Sequence, residues 1–217
     1  MQRAASLPLL LLIVVTYAAH GHAGVLEDDA PRFKGAYVDT EPVATVTSWL
    51  LPLRTRDRHD VKTLRVVSVF GAKRNSYVRG HIHSGLDLAV RGKEGVAVDV
   101  MAMAQGVVCS IHLGPPHSTV VVRHKLSDGA RLFTSYKHLG HVDVKTGQQV
   151  TADTVLGVLF DRKQARELGG NYDHLHLEVR KTFDDYGAAS WATMSRKQLE
   201  QRFLDPLSFL RRRVKKL

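Results

Sequence analysis

Histidine and carboxylate residues recur at three places in this chain, at spacings that let their side chains meet. Twelve of the 217 residues are histidine, so neighbours and spacing carry the signal rather than histidine itself. The first place is His83-Ser84-Gly85-Leu86-Asp87. An offset of four puts His83 and Asp87 on one side of a strand, and equally of a helix, so both can face one ion. Gly80 and Gly85 favour the extended form. The second place is Asp173-His174-Leu175-His176-Leu177-Glu178-Val179. Its strict alternation gives His174, His176 and Glu178 one strand face and Leu175, Leu177 and Val179 the other. The third is Tyr136-Lys137-His138-Leu139 at the close of an apolar run, where strand parity predicts a common face for Tyr136 and His138.

Imidazole and carboxylate together suit zinc, which in catalytic sites takes three protein ligands and keeps a fourth position open. Two histidines and one aspartate meet that count. One anionic ligand leaves the ion with a net positive charge, able to polarise a peptide carbonyl and acidify water. Two further histidines then suffice for a general base and a transition-state stabiliser. Cys109 is the single cysteine, which excludes an internal disulfide and a cysteine-rich metal cage; in its apolar run it reads as a buried core thiol. His59, His112, His117, His124 and His141 have no partner pattern and read as structural.

The elements that must position these groups are short. Val66 to Phe70, Val96 to Met103, Val107 to Ile111, Thr119 to Val122, Leu132 to Tyr136, Val155 to Phe160 and His174 to Val179 are β-branched apolar runs separated by Gly, Pro and Asp, which predicts strands. No long amphipathic helix lies between them, so the fold class is mainly β, an antiparallel sheet. After Asp184, Ser195 and Gln198 form a helix-capping pattern, with Leu199 and Phe203 four apart on one face. Asp205-Pro206 is expected to end that helix. A second helix from Leu207 would put Leu207, Leu210, Val214 and Leu217 on one side, in what reads as a solvated basic terminus.

A net charge of +10 raises a nucleic-acid reading, which its distribution opposes. Arg196 to Leu217 holds eight basic and two acidic residues, whereas Gly24 to Ser195 holds 22 and 19. A nearly neutral body with a basic tail is not a nucleic-acid binder. At the other end, Arg3 precedes the apolar run Leu7 to Val15 and then small residues up to Ala23, the form of a signal peptide cleaved after Ala23. The run is too short for a membrane span, which takes ~20 apolar residues. The expected organisation is therefore a signal peptide over 1–23, a lead-in segment over 24–60, a β domain over 61–183 and a helical basic tail over 184–217. The mature chain is expected to be exported, periplasmic or extracellular, with no transmembrane segment.

Taken together and in order, the three stretches resemble the LytM and lysostaphin-like zinc metalloendopeptidases, which cleave peptide bonds in peptidoglycan. The resemblance extends over Val100-Met-Ala-Met-Ala-Gln-Gly106, the Gly147 to Gly157 region and Asp205-Pro-Leu-Ser-Phe-Leu210, about Phe70 to Leu210 in all. It implies a peptidase domain over 61–183, an antiparallel sheet with a substrate groove, one zinc ion per chain held by His83, Asp87 and His176, and catalytic roles for His138 and His174. The implied partner is a peptidoglycan peptide; the alternative is a non-catalytic member of the same fold that binds the wall or activates a hydrolase. The segment before the histidine pair, Gly169-Gly-Asn-Tyr-Asp173, departs from the family's Gly/Ser/Thr-rich turn and bears on the groove wall. Glu178 is a candidate to orient a ligand histidine.

Overall fold

Alternating apolar residues bounded by turn formers fold here as two antiparallel sheets sharing one core. The computed structural model describes residues 37–75, 79–183 and 195–214; the expected signal peptide, part of the lead-in and Leu217 lie outside them. The larger sheet runs in the order β1 (Leu64–Ser68), β2 (Leu86–Val90), β10 (Leu175–Arg180), β6 (Arg131–Lys137), β5 (Thr119–Lys125), β4 (Gly106–His112) and β8 (Gln149–Val150), with β11 (Phe203–Leu204) also paired to β10. The smaller sheet is β3 (Asp99–Met101), β9 (Val155–Leu159) and β7 (Leu139–Val142). The mainly antiparallel β expectation holds. The run expected from Val96 forms strand only from Asp99 to Met101, and β7 and the helix α1 (Arg162–Glu167) lie outside the expected runs. Asp161 caps α1 in a full capping box with Gln164, a pattern that six residues of sequence hide among polar neighbours.

Leu86, Leu88, Leu175, Leu177, Val120 and Val122 point from the larger sheet into the core, where Val100, Leu139 and Leu156 of the smaller sheet meet them. Trp49, Leu51 and Leu53, from before the first strand, join the same core. Arg58 ties that lead-in down by donating to the carbonyls of Leu51, Ala102 and Ala152.

The C-terminal expectations divide. Ser195 and Gln198 do form a capping box, on α2 (Arg196–Arg202). Phe203, however, leaves the helix and enters β11. Asp205-Pro206 starts a helix rather than stopping one: Asp205 accepts from the Leu207 amide and Pro206 is the first residue of α3 (Pro206–Arg213), a position where a missing amide hydrogen costs nothing. The expectation of a solvated terminus holds for the basic side of α3 and fails for its apolar side. Phe209, Leu210 and Val214 are buried in the core, and the Phe209 ring meets Trp49 edge-on at 4.9 Å, so only the Arg211 to Arg213 side of α3 faces water.

His124 is buried in that core, where Nδ1 donates to the Gln105 carbonyl and Nε2 lies 2.8 Å from the Thr134 hydroxyl. Burial disfavours the charged ring and pushes its pKa down to about 4. An unfolded histidine titrates near ~6.5, so between the two values the unfolded chain binds more protons. Stability from this group is therefore full above about pH 6.5 and falls as the pH drops toward about 4, by up to ~3 kcal/mol. Urea unfolding between pH 7 and 4.5 should show the decline, and His124→Gln, less stable at pH 7, should decline less steeply. An equal slope in both proteins would remove His124 from the account.

Candidate metal centre

The site forms on the face of the larger sheet opposite the core. Cross-strand pairing lines up Asp87 on β2, His176 on β10, Lys137 on β6 and Thr119 on β5 as one row, and directly opposed residues share a face. Two residues along, Glu178, Ser135 and Val121 form the next row, followed by Arg180, Phe133 and Arg123. The alternation expected of β10 is therefore what the sheet uses: Leu175, Leu177 and Val179 enter the core, while His176, Glu178 and Arg180 face the site.

His83 Nε2, Asp87 Oδ1 and His176 Nδ1 make a triangle with every side 3.0 Å. The outer nitrogens of both rings are committed. His83 Nδ1 donates to the Val69 carbonyl at 2.8 Å, and His176 Nε2 donates to Glu178 Oε1 at 3.1 Å. Both inner nitrogens thus present lone pairs toward a carboxylate oxygen, three acceptors with no hydrogen between them. A cation resolves that arrangement. Ligands at ~2.0–2.1 Å from a tetrahedral zinc stand about 3.3 Å apart, so the triangle fits the ion with a small expansion, and two imidazoles with one carboxylate match its preferred donors. Gly85 makes room, since a Cβ there would lie 2.6 Å from the Leu177 carbonyl and 2.7 Å from the His176 ring.

Around the triangle, Arg74 Nη2 binds Asp87 Oδ2 at 2.6 Å and leaves Oδ1 for the centre. Burial opposes ionisation of Asp87, but the imidazoles of His174, His176 and His83 around its carboxylate outweigh it and hold the carboxyl far below the usual range. Burial lowers the pKa of His83, which Asp87 only partly offsets. His176 is also buried, yet Asp87 and Glu178 on its two nitrogens raise it. A divalent cation bound here would compete with protons for the same lone pairs.

Glu178 is fully buried and accepts from Ser84 at 2.6 Å and from Arg180 at 2.7 Å as well as from His176. Lys137, pushed down to about 8 by burial and drawn back up by Glu178, lies beside it. Sequence reasoning named Glu178 but not Ser84, Lys137 or Arg180. Carrying the β10 alternation two residues further would have reached Arg180. Replacing Glu178 with alanine leaves buried cations without a counter-charge, which costs ~3–5 kcal/mol. Urea unfolding should read that loss, with less from Glu178→Gln; a loss under ~1 kcal/mol in the alanine variant would deny the carboxylate this role.

His138 does not share a face with Tyr136, contrary to strand parity. Tyr136 is in the core with its hydroxyl accepting from the Met103 amide. His138 has φ 70°, a left-handed conformation that is costly outside glycine and turns its side chain back to the site face. There its Nδ1 donates to the Pro116 carbonyl at 2.7 Å, and its ring lies 5.0 Å from His174 and 6.1 Å from His176. Burial, with His174, Lys137 and His176 adding to it, pushes the His138 pKa well down. His174 Nε2 stands 3.5 Å from Asp87 Oδ1. All five expected residues converge on one site. His117, read from sequence as structural, stands with them, its ring 5.8 Å from His138 and 5.9 Å from Tyr172. Tyr172 itself lies 5.1 Å from His138, in the segment that departs from the family's usual turn. Cys109 is buried as expected, its thiol pushed up to about 12 by burial.

No curated protein matches the chain. Among solved structures, the antimicrobial peptidase lysostaphin from Staphylococcus simulans superposes with a TM-score of 0.50 at 17% identity, covering 78% of this chain and 56% of that one. A chain of the SpoIIIAH and SpoIIQ complex gives 0.47 at 24% identity, covering 76% and 99%. A zinc containing peptidase from Vibrio cholerae gives 0.43 at 22%, covering 63% and 37%. The likeness to lysostaphin shows a shared fold. Residues 81–189, half of the chain, match the model of Peptidase family M23. That span holds every residue of the triangle and both flanking histidines, and the chain belongs to Peptidase family M23.

Proposed function

We propose that the protein is an exported zinc metalloendopeptidase that hydrolyses peptide bonds in peptidoglycan stem peptides or cross-bridges. The observation that carries this reading is the convergence of three acceptor atoms, His83 Nε2, Asp87 Oδ1 and His176 Nδ1, on one point, beside two further histidines. When bound there, zinc supplies a centre that polarises a carbonyl and acidifies water.

The chain's own groups divide the remaining work. His83, Asp87 and His176 hold the ion, with Arg74 and Glu178 fixing the orientation of Asp87 and His176. His138 has its Nδ1 hydrogen engaged by Pro116, so its Nε2 is the lone pair that takes a proton from the attacking water. His174, on the other side, donates to the oxygen that gains charge as the carbonyl is attacked. The scissile peptide lies between them, with Tyr172 and His117 at its margin. Export is supported by the apolar run from Leu7 to Val15 and the small residues that follow it. Among the described residues no helix is long and apolar enough to cross a membrane.

Purified sacculi of known chemistry incubated with the protein test this reading. Mass spectrometry should show fragments with new amino and carboxyl termini within the peptides. Chelation should stop their release and zinc should restore it. Binding to sacculi with no fragment released by the zinc-loaded protein would overturn the peptidase reading in favour of a non-catalytic wall binder.

A further inference from the structure

Away from the histidine site, a cleft of about 740 Å³ opens between the 54–63 segment and the loop that follows β2. Asp87 sits near the start of β2 and Val90 at its end, so the cleft lies at the other end of the strand from His83. Arg54, Arg56, Lys62, Arg91 and Lys93 line it against a single carboxylate, Asp99. That carboxylate is already engaged by Arg54 at 2.6 Å. The neighbouring Glu94 accepts from the Gly92 amide and faces Arg65. Among the described residues, the side chains of Arg56, Lys62 and Lys93 have no hydrogen-bond or ion-pair partner.

The frame that holds these cations is fixed. Arg91 donates from Nε to the Lys62 carbonyl and from Nη2 to the Leu64 carbonyl, at 3.1 and 3.2 Å, which sets its guanidinium and leaves Nη1 available. Lys62 is carried by a short 3-10 turn, Val61–Thr63, capped by Asp60. Val90, Val96, Ala97 and Val98 supply apolar wall, and Val96 is 54% exposed. A cleft of this size falls in the range of small-molecule sites, ~300–1,000 Å³, and is larger than a bare inorganic anion needs.

We propose that this cleft binds an organic phosphate ester, its phosphate held by Arg56, Lys62, Arg91 and Lys93 and its carbon body laid on Val96, Ala97 and Val98. Phosphate is the anion that uses this donor set best. A phosphodiester keeps one negative charge and two non-bridging acceptor oxygens, which a fixed guanidinium and mobile ammonium groups can share. A soluble polyol phosphate polymer and a lipid headgroup present the same phosphate ester to the cleft.

Calorimetric titration of the full-length, zinc-loaded protein tests this. The probes are a soluble glycerol phosphate polymer, neutral polyglycerol, inorganic phosphate, and vesicles of phosphatidylglycerol in phosphatidylcholine. The cleft variant is Arg56→Gln with Lys62→Gln and Lys93→Gln. The control, Arg211→Gln with Arg212→Gln and Arg213→Gln, removes the same charge from the exposed side of α3. With three of its four phosphate-holding cations neutralised, the cleft variant should bind phosphate esters about ten-fold or more weakly. The control should change little, and neutral polyglycerol should not bind. Cleft-dependent binding of the soluble polymer identifies a polymer source, and cleft-dependent binding of vesicles alone a lipid source. Equal weakening in both variants, inorganic phosphate binding as tightly as the esters, or no ester binding at all would overturn the proposal. Cleavage of a short soluble peptide should be unchanged in the cleft variant, which separates this site from the histidine site.

Discussion

Zinc should be present at one ion per chain in the unaltered protein and largely absent from His83→Ala and His176→Ala. Each substitution removes one corner of a triangle whose three atoms stand 3.0 Å apart, leaving two donors where a site with an open position needs three. The expected loss of affinity exceeds the ~10–100-fold typical of altering a group behind a ligand. Arg74→Gln gives the internal comparison, because Arg74 holds Asp87 through Oδ2 and does not face the centre. It should weaken zinc by only ~10-fold. Elemental analysis and competition with a coloured chelator read both effects. Undiminished zinc in both histidine variants would remove the triangle as the site.

Much of this centre was legible because β-strand alternation is a hard geometric rule. The order His174, Leu175, His176, Leu177, Glu178 specifies which side chains enter the core and which face the opposite side, and the sheet obeys it through Arg180. The fold class followed from the same kind of signal, short β-branched runs with no helix between them. What did not follow was set by backbone conformation or by distant partners. Parity assigned His138 to the face of Tyr136, and a single left-handed residue reversed that. From sequence alone Asp205-Pro206 reads as a stop because proline disfavours a preceding helix; the same proline is well suited to a first helical position, and only the path of β11 decides between the two. His117 reached the site through the loop at Pro115 and Pro116, joining β4 to β5, whose course no local spacing encodes.

The same distinction explains the electrostatics. Lys137 and Glu178 are separated by more than forty residues, yet Lys137 bears on Glu178 because β6 and β10 pair with His176 opposite Lys137. A sequence reading can place a carboxylate on a strand face. It can reach Arg180 along the same strand, but it cannot find Lys137 until the register between strands is known. The unpaired cations of the second cleft were invisible for the same reason, since residues 54–62 and 91–93 meet only in the folded chain.

His138→Ala and His174→Ala should keep zinc and lose turnover by ~100-fold or more, the scale of a positioned acid–base group. The separation follows from where the two rings stand. Neither contributes an atom to the triangle, so metal affinity should stay close to that of the unaltered protein, while both rings border the space above it, 5.0 Å apart. His138 is the more sensitive test of mechanism. Its proton-accepting nitrogen depends on Nδ1 being occupied by the Pro116 carbonyl, so His138→Gln, which keeps a polar side chain but no basic nitrogen, should be as inactive as the alanine variant. If His174 acts by donating a hydrogen bond, His174→Asn should recover part of what His174→Ala loses. The loss should fall on kcat with KM nearly constant, because both interactions strengthen only as the carbonyl is attacked. Near-normal cleavage by either alanine variant, with zinc content unchanged, would refute the assignment of water activation and oxyanion stabilisation to these two histidines.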